Sequence, residues 1–130
     1  MQIIKISLRE IAYARSGDKG NNANIGVIAY TPAGYEFLKQ HLTESKVHTY
    51  FKALGVVKTV RYALPNLGAL NFVLLGALGG GGSRSLRMDS QGKALGQALL
   101  EMPVEIPFSL LSLCHPPDKQ ALQPQSKINL

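Results

Sequence analysis

Cysteine is nearly absent from this chain, and that shortage bounds its chemistry first. Cys114 is the single cysteine in 130 residues, so an internal disulfide and a multi-cysteine metal site are both excluded. Long apolar runs are missing too, since none approaches the roughly 20 residues of a membrane-spanning helix. No basic segment followed by an apolar stretch opens the sequence, so no export signal is read, and a cytoplasmic location away from membranes is expected. There is no H-E-x-x-H, no G-x-S-x-G and no metal-ligand cluster, so neither a metal nor a cofactor is expected. Basic residues outnumber acidic ones, 14 to 8, for a net charge of +6, yet they form no run. The nearest approach to a cluster is Arg84 with Arg87. A dispersed balance of this kind favours anionic ligands such as carboxylates, phosphates and acyl-CoA without singling out nucleic acid.

What is present is a folded chain. Hydrophobic residues make up 45% and charged residues 17%, which fits one globular domain. Residues 2–14 alternate, with Ile4, Ile6 and Leu8 on one face of an extended segment. The stretch from Ala14 to Val27 is polar, rich in glycine and charged on both signs, and residues 16–23 read as a loop. Its simplest reading is a tight hairpin whose Asx residues hold their own backbone; the alternative is a ligand loop. Ile25 to Tyr30 reads as a buried strand, and Thr31-Pro32 as an N-cap followed by a first helical residue. Thr43 caps a second helical stretch that Gly55 ends. Residues 56–64 and 69–78 form a hairpin around the turn Pro65-Asn66-Leu67-Gly68. After the tetraglycine stretch, Asp89 caps a helix with Leu95, Ala98, Leu99 and Met102 on one face. The main domain is placed at 1–103, with 104–130 an edge strand followed by an irregular tail.

From Ile25 onward the order is strand, helices, strand, strand, helix, strand. This is the ferredoxin-like β-α-β-β-α-β pattern, an α+β antiparallel sheet with helices on one face, preceded here by an extra N-terminal strand. Its first and third core strands are central, antiparallel neighbours, and both are apolar on both faces. The helices cover one face, so a partner chain or a second copy is the expected cover for the other. The same pairing brings loop 16–23 and loop 79–85 to one edge of the sheet. Asp18 and Lys19 are therefore the candidate catalytic acid/base pair. Arg15, Ser16, Gly17, Gly20, Asn21 and Asn24 from the first loop are candidates for holding an anionic substrate. Gly80, Gly81, Gly82, Ser83, Arg84 and Arg87 from the second complete that set. The tetraglycine loop lacks the lysine of a Walker A loop and contains no G-x-G-x-x-G. RNA binding is disfavoured because Ala69 to Leu74 offers one aromatic residue and no basic-glycine lead-in. His41 and His48 read as boundary histidines, and Cys114-His115 as neighbours in sequence without a paired role.

Three blocks point to a known family. They are Ala14-Arg15-Ser16-Gly17-Asp18-Lys19-Gly20 with Asn24-Ile25-Gly26-Val27-Ile28-Ala29, then Leu64-Pro65-Asn66-Leu67-Gly68-Ala69-Leu70-Asn71-Phe72-Val73-Leu74, then residues 76–87 with Asp89, Gln91, Gly92 and Lys93. Together, over residues 5–101, they resemble the small C-terminal domain of the acyclic terpene utilisation protein A (AtuA) family, which also occurs as a separate short chain. The resemblance implies a ferredoxin-like fold and a larger AtuA-type partner. It also implies a setting in the breakdown of acyclic terpenoids and branched acids through acyl-CoA intermediates. It names no reaction. The expected role is a small accessory subunit that completes an anionic-substrate site. A free-standing homo-oligomeric enzyme on acyl-CoA thioesters and a purely structural oligomerisation domain stay open beside it.

Overall fold

The computed structural model describes residues 2–77 and 91–117; of Lys19 and residues 91–93 it describes the backbone. In chain order the elements are β1 (Ile3–Ser7), β2 (Ala12–Lys19), β3 (Asn22–Ala29), α1 (Pro32–His41), α2 (Glu44–Tyr50), β4 (Lys58–Leu64), β5 (Ala69–Leu75), α3 (Gln91–Leu99), β6 (Pro103–Pro107) and α4 (Phe108–Cys114). Four strands make an antiparallel sheet in the order β2-β3-β5-β4, and β1 and β6 form a separate antiparallel pair. The fold is the expected α+β, ferredoxin-like one, with β3 and β5 as its central strands.

Two features of the N-terminal half differ from the sequence reading. The extended segment is two strands, separated by a 3-10 turn at Leu8–Glu10. Residues 16–19, expected in a loop, continue β2, whose register with β3 runs from Ala12↔Ala29 to Lys19↔Asn22. The reversal takes only Gly20 and Asn21. Gly20 has φ +63° and no non-glycine residue has positive φ, which suits a two-residue hairpin with glycine at its first position. Pairing explains the strand: Ser16, Gly17 and Asp18 have weak strand preference alone but gain a full ladder against apolar β3. β2 thereby flanks β3 on the side away from β5, while β6 pairs with β1 instead.

Local signals in the helices act as read. The Thr31 hydroxyl accepts from the Gly34 amide at 3.0 Å and that of Thr43 from the Lys46 amide at 3.2 Å. Gly55 and Gly68 sit in left-handed geometry after short 3-10 turns. Ile25, Val27, Leu70, Phe72 and Leu74 point to the helix side, each at most 1% exposed, and pack in one core with Leu38, Val47, Leu95 and Leu99. Truncating a side chain such as Phe72 there costs about 3–5 kcal/mol. On β4 the covered face is the polar one. Thr59 meets His48 Nδ1 at 2.8 Å, and the Arg61 guanidinium donates to the Lys39 and Leu42 carbonyls, a cation at the C-terminal end of α1. Helix α4 packs against α1 and follows β6 directly, an element the prolines on either side of it conceal in the sequence.

Candidate functional site

The register assigns every strand residue of the sheet to one of two faces. Ala12, Ala14, Ser16 and Asp18 share the helix-covered face with Ala23, Ile25 and Val27. The uncovered face carries Tyr13, Arg15 and Gly17 of β2, Asn24, Gly26 and Ile28 of β3, Asn71 and Val73 of β5, and Val60, Tyr62 and Leu64 of β4. One row across the sheet reads Arg15, Gly26, Asn71, Tyr62, and the next reads Gly17, Asn24, Val73, Val60. The distinctive polar residues of the first two sequence blocks thus share one face, on β2 and the two central strands. No other element of the described chain covers it: Tyr62 is 53% exposed and Leu64 39%.

The chemistry of this face is cationic and amide-rich. The Asn24 amide donates to Asn71 Oδ1 at 3.4 Å, which leaves most donors and acceptors of both side chains open. Among the described residues no carboxylate or carbonyl pairs with the Arg15 guanidinium. Glycines separate these groups. A Cβ at Gly26 would stand 3.8 Å from Asn71 Oδ1, and one at Gly17 3.6 Å from Asn24 Oδ1. The floor between the polar side chains is therefore backbone, low enough for a flat group to lie on it. Tyr13 and Tyr30, with ring centroids 5.6 Å apart, border one end, and Val60, Val73 and Leu64 supply apolar rim. A guanidinium and two primary amides presented on one face suit a carboxylate, phosphate or thioester oxygen.

The remaining candidates of the first stretch lie elsewhere. Asp18 is exposed on the helix-covered side of β2, opposite Ala23. Consecutive strand positions alternate, so register puts position 19 on the other face, and β2 does not present Asp18 and Lys19 side by side. The Ser16 hydroxyl accepts from the Gly96 amide at 3.2 Å and ties β2 to α3. Gly20 and Asn21 form the turn itself. The expected meeting of strand ends at this edge is observed: Ala23 lies opposite Leu74, and Asn22 Oδ1 accepts from the Gly76 amide at 2.9 Å. Gly80, Gly81, Gly82, Ser83, Arg84 and Arg87, and the cap at Asp89, fall outside the described residues.

The lesser candidates fit structural roles. His48 is held by Thr59, and His41 stacks on Phe37 with ring centroids 4.5 Å apart. Cys114 is fully buried, which pushes its thiol pKa up and keeps it protonated and unreactive. Among the described residues no group of His, Cys, Asp and Glu is placed to hold a metal ion. No helix among them is long and apolar enough to cross a membrane. Asn71, Tyr62 and Gly26 were missed as site residues by reading the sequence. The signal for them was alternation: once 15–19 is a strand, Arg15 and Gly17 share a face with Asn24, Gly26 and Asn71.

Fold and register together define a ferredoxin-like α+β domain with one uncovered sheet face on which sequence-motif residues converge. The family model for the AtuA ferredoxin-like domain matches residues 6–105, and the chain belongs to that family. Comparison with curated proteins and with solved structures returned no match.

Proposed function

We propose that this chain is a small accessory subunit whose uncovered sheet face docks on a larger AtuA-type chain. Together they enclose a site for an anionic, acyl-CoA-type substrate in the breakdown of acyclic terpenoids or branched acids. The observation that supports this reading is the convergence of Arg15, Asn24 and Asn71, without a carboxylate, on a face with apolar rims. In this role Arg15 neutralises charge, the two amides bind oxygens, and the Gly17 and Gly26 backbone makes room for the ligand. Asp18 lies on the opposite face of β2 from Arg15, so in this reading it serves as a general base only for a ligand that reaches round the Gly20-Asn21 end of the strand, and Arg84 and Arg87 add positive charge.

Charge favours a different partner over a copy of this chain. Lys58 belongs to the same face as Arg15 by register, and face-to-face pairing of two copies sets cations against cations. Co-expression with the large AtuA-type chain of the same host tests the reading. A stable complex that turns over an acyl-CoA thioester, and loses that activity with Arg15→Ala while staying assembled, supports it. A small chain that never co-purifies with the large one sinks it.

A further inference from the structure

A second binding region lies away from the sheet face. Between α1 and the β1–β6 pair runs an open cleft of about 860 Å³, and none of its lining comes from the four-stranded sheet. Its walls are apolar: Phe37 and Leu38 from α1, Val104 from β6, Met102 beside it and Leu110 from α4. The size and the apolar walls with a few polar groups are those of a small-molecule site.

The cleft is polarised along its length. Toward the start of α1 its lining is Ala33, Pro107 and Leu110, with no charged group in that set. Toward the end of α1 its lining is His41, Leu42 and Lys46. Each of its two carboxylates has a lysine near it, along the helix or across the ladder. Glu36 pairs with Lys39 at 3.8 Å, and Glu105 stands opposite Lys5 in the β1–β6 register. Among the described residues no carboxylate pairs with Lys46, so the lining at the end of α1 carries positive charge. From Ala33 to His41 the helix advances about 12 Å at about 1.5 Å per residue, the reach of a medium-length hydrocarbon chain.

We infer that this cleft binds a medium-chain carboxylate, tail toward Leu110 and head group at Lys46 and His41. A hydrocarbon tail covers the apolar part of this lining while the carboxylate stays in water beside Lys46.

The test is a ¹H–¹⁵N titration of the intact chain with decanoate below its micelle concentration, with decanol in parallel. Saturable shifts are expected at Phe37, His41, Val104 and Leu110, while Asn24 and Asn71 stay still. Lys46→Glu weakens decanoate about tenfold and leaves decanol unchanged, as reversing one partly solvated charge predicts. That variant keeps the fold, because Glu three residues after Thr43 completes a capping box. Shifts that never saturate, shifts centred on Asn24 and Asn71, or equal decanoate affinity in Lys46→Glu each overturn the assignment.

Discussion

Ser16 and Gly96 meet where α3 crosses β2. The Gly96 amide donates to the Ser16 hydroxyl, and a Cβ on Gly96 would stand 2.8 Å from that oxygen and 3.2 Å from Ser16 Cβ. The helix comes this close because β2 offers it only small side chains, Ala12, Ala14 and Ser16. A loop residue would have no reason to be so constrained.

Gly96→Ala gains about 1 kcal/mol of helix propensity but forces α3 off the strand, so a net loss of about 1–2 kcal/mol is expected. Urea denaturation measures it. Ser16→Gly in the same chain should recover part of the loss; a Gly96→Ala variant as stable as the parent contradicts the close approach.

Thr31 joins two helices through one hydroxyl, accepting from the Gly34 amide and donating to the Leu113 carbonyl at 2.8 Å. Thr31→Val removes both bonds at nearly constant volume and should cost about 1–2 kcal/mol. Hydrogen exchange should show the loss in α4 as well as in the first turn of α1. Unchanged protection of α4 would show that the Leu113 bond contributes little.

Arg15 and Asn71 lie on the surface, so Arg15→Ala and Asn71→Ala should each shift stability by about 0.5 kcal/mol or less. In the proposed complex each should lower substrate-dependent activity by about 10- to 100-fold, as losing one charge-assisted or amide hydrogen bond to an anion predicts. Full activity in both variants removes the sheet face from the site.

Gly26 has room for a methyl group, with its nearest neighbours at 3.7 Å or more, and its φ is not positive. Gly26→Ala should therefore stabilise the strand by about 0.5–1 kcal/mol. The same methyl group narrows the approach to Asn71. Melting temperature should rise while activity of the complex falls, and a rise in both would show that the backbone floor is not used.

Cys114 adds a pH dependence. Burial raises its thiol pKa in the folded state, so the unfolded chain releases the proton first as pH rises. The neutral thiol costs nothing below the unfolded pKa. Above that value stability falls with pH, until the folded thiol also ionises, by at most about 1.4 kcal/mol per pH unit. Denaturation from pH 7 to 10 should fall less steeply for Cys114→Ala than for the parent chain; identical slopes rule the thiol out as a contributor.

Much of this architecture was legible because its signals are local. Thr31-Pro32, Thr43 and the Pro65 to Gly68 turn announce their conformations through caps and turn chemistry, and the apolar runs of β3 and β5 mark the sheet centre. The misreading of 16–19 has a single cause: Ser, Gly and Asp favour turns in isolation, whereas their strand geometry is imposed by pairing with Asn22 to Ile25. That one shift separates Asp18 from Lys19 and moves the weight of the site to Arg15, Asn24 and Asn71. The placement of β6 was illegible for a different reason. An N-terminal and a C-terminal strand compete for the position beside β3, and no local preference ranks them.

The β1–β6 pairing sets Ile3 beside Pro107 and Ser7 beside Pro103. The first and last strands of the described chain are therefore fastened to each other at one place. Such a unit can be grafted into a longer polypeptide on a single stalk, or opened at the Gly20-Asn21 turn and rejoined across the ribbon by a short linker, without disturbing the sheet. Whether the unit stands alone or is inserted in a longer chain, the face bearing Arg15 keeps the same shape.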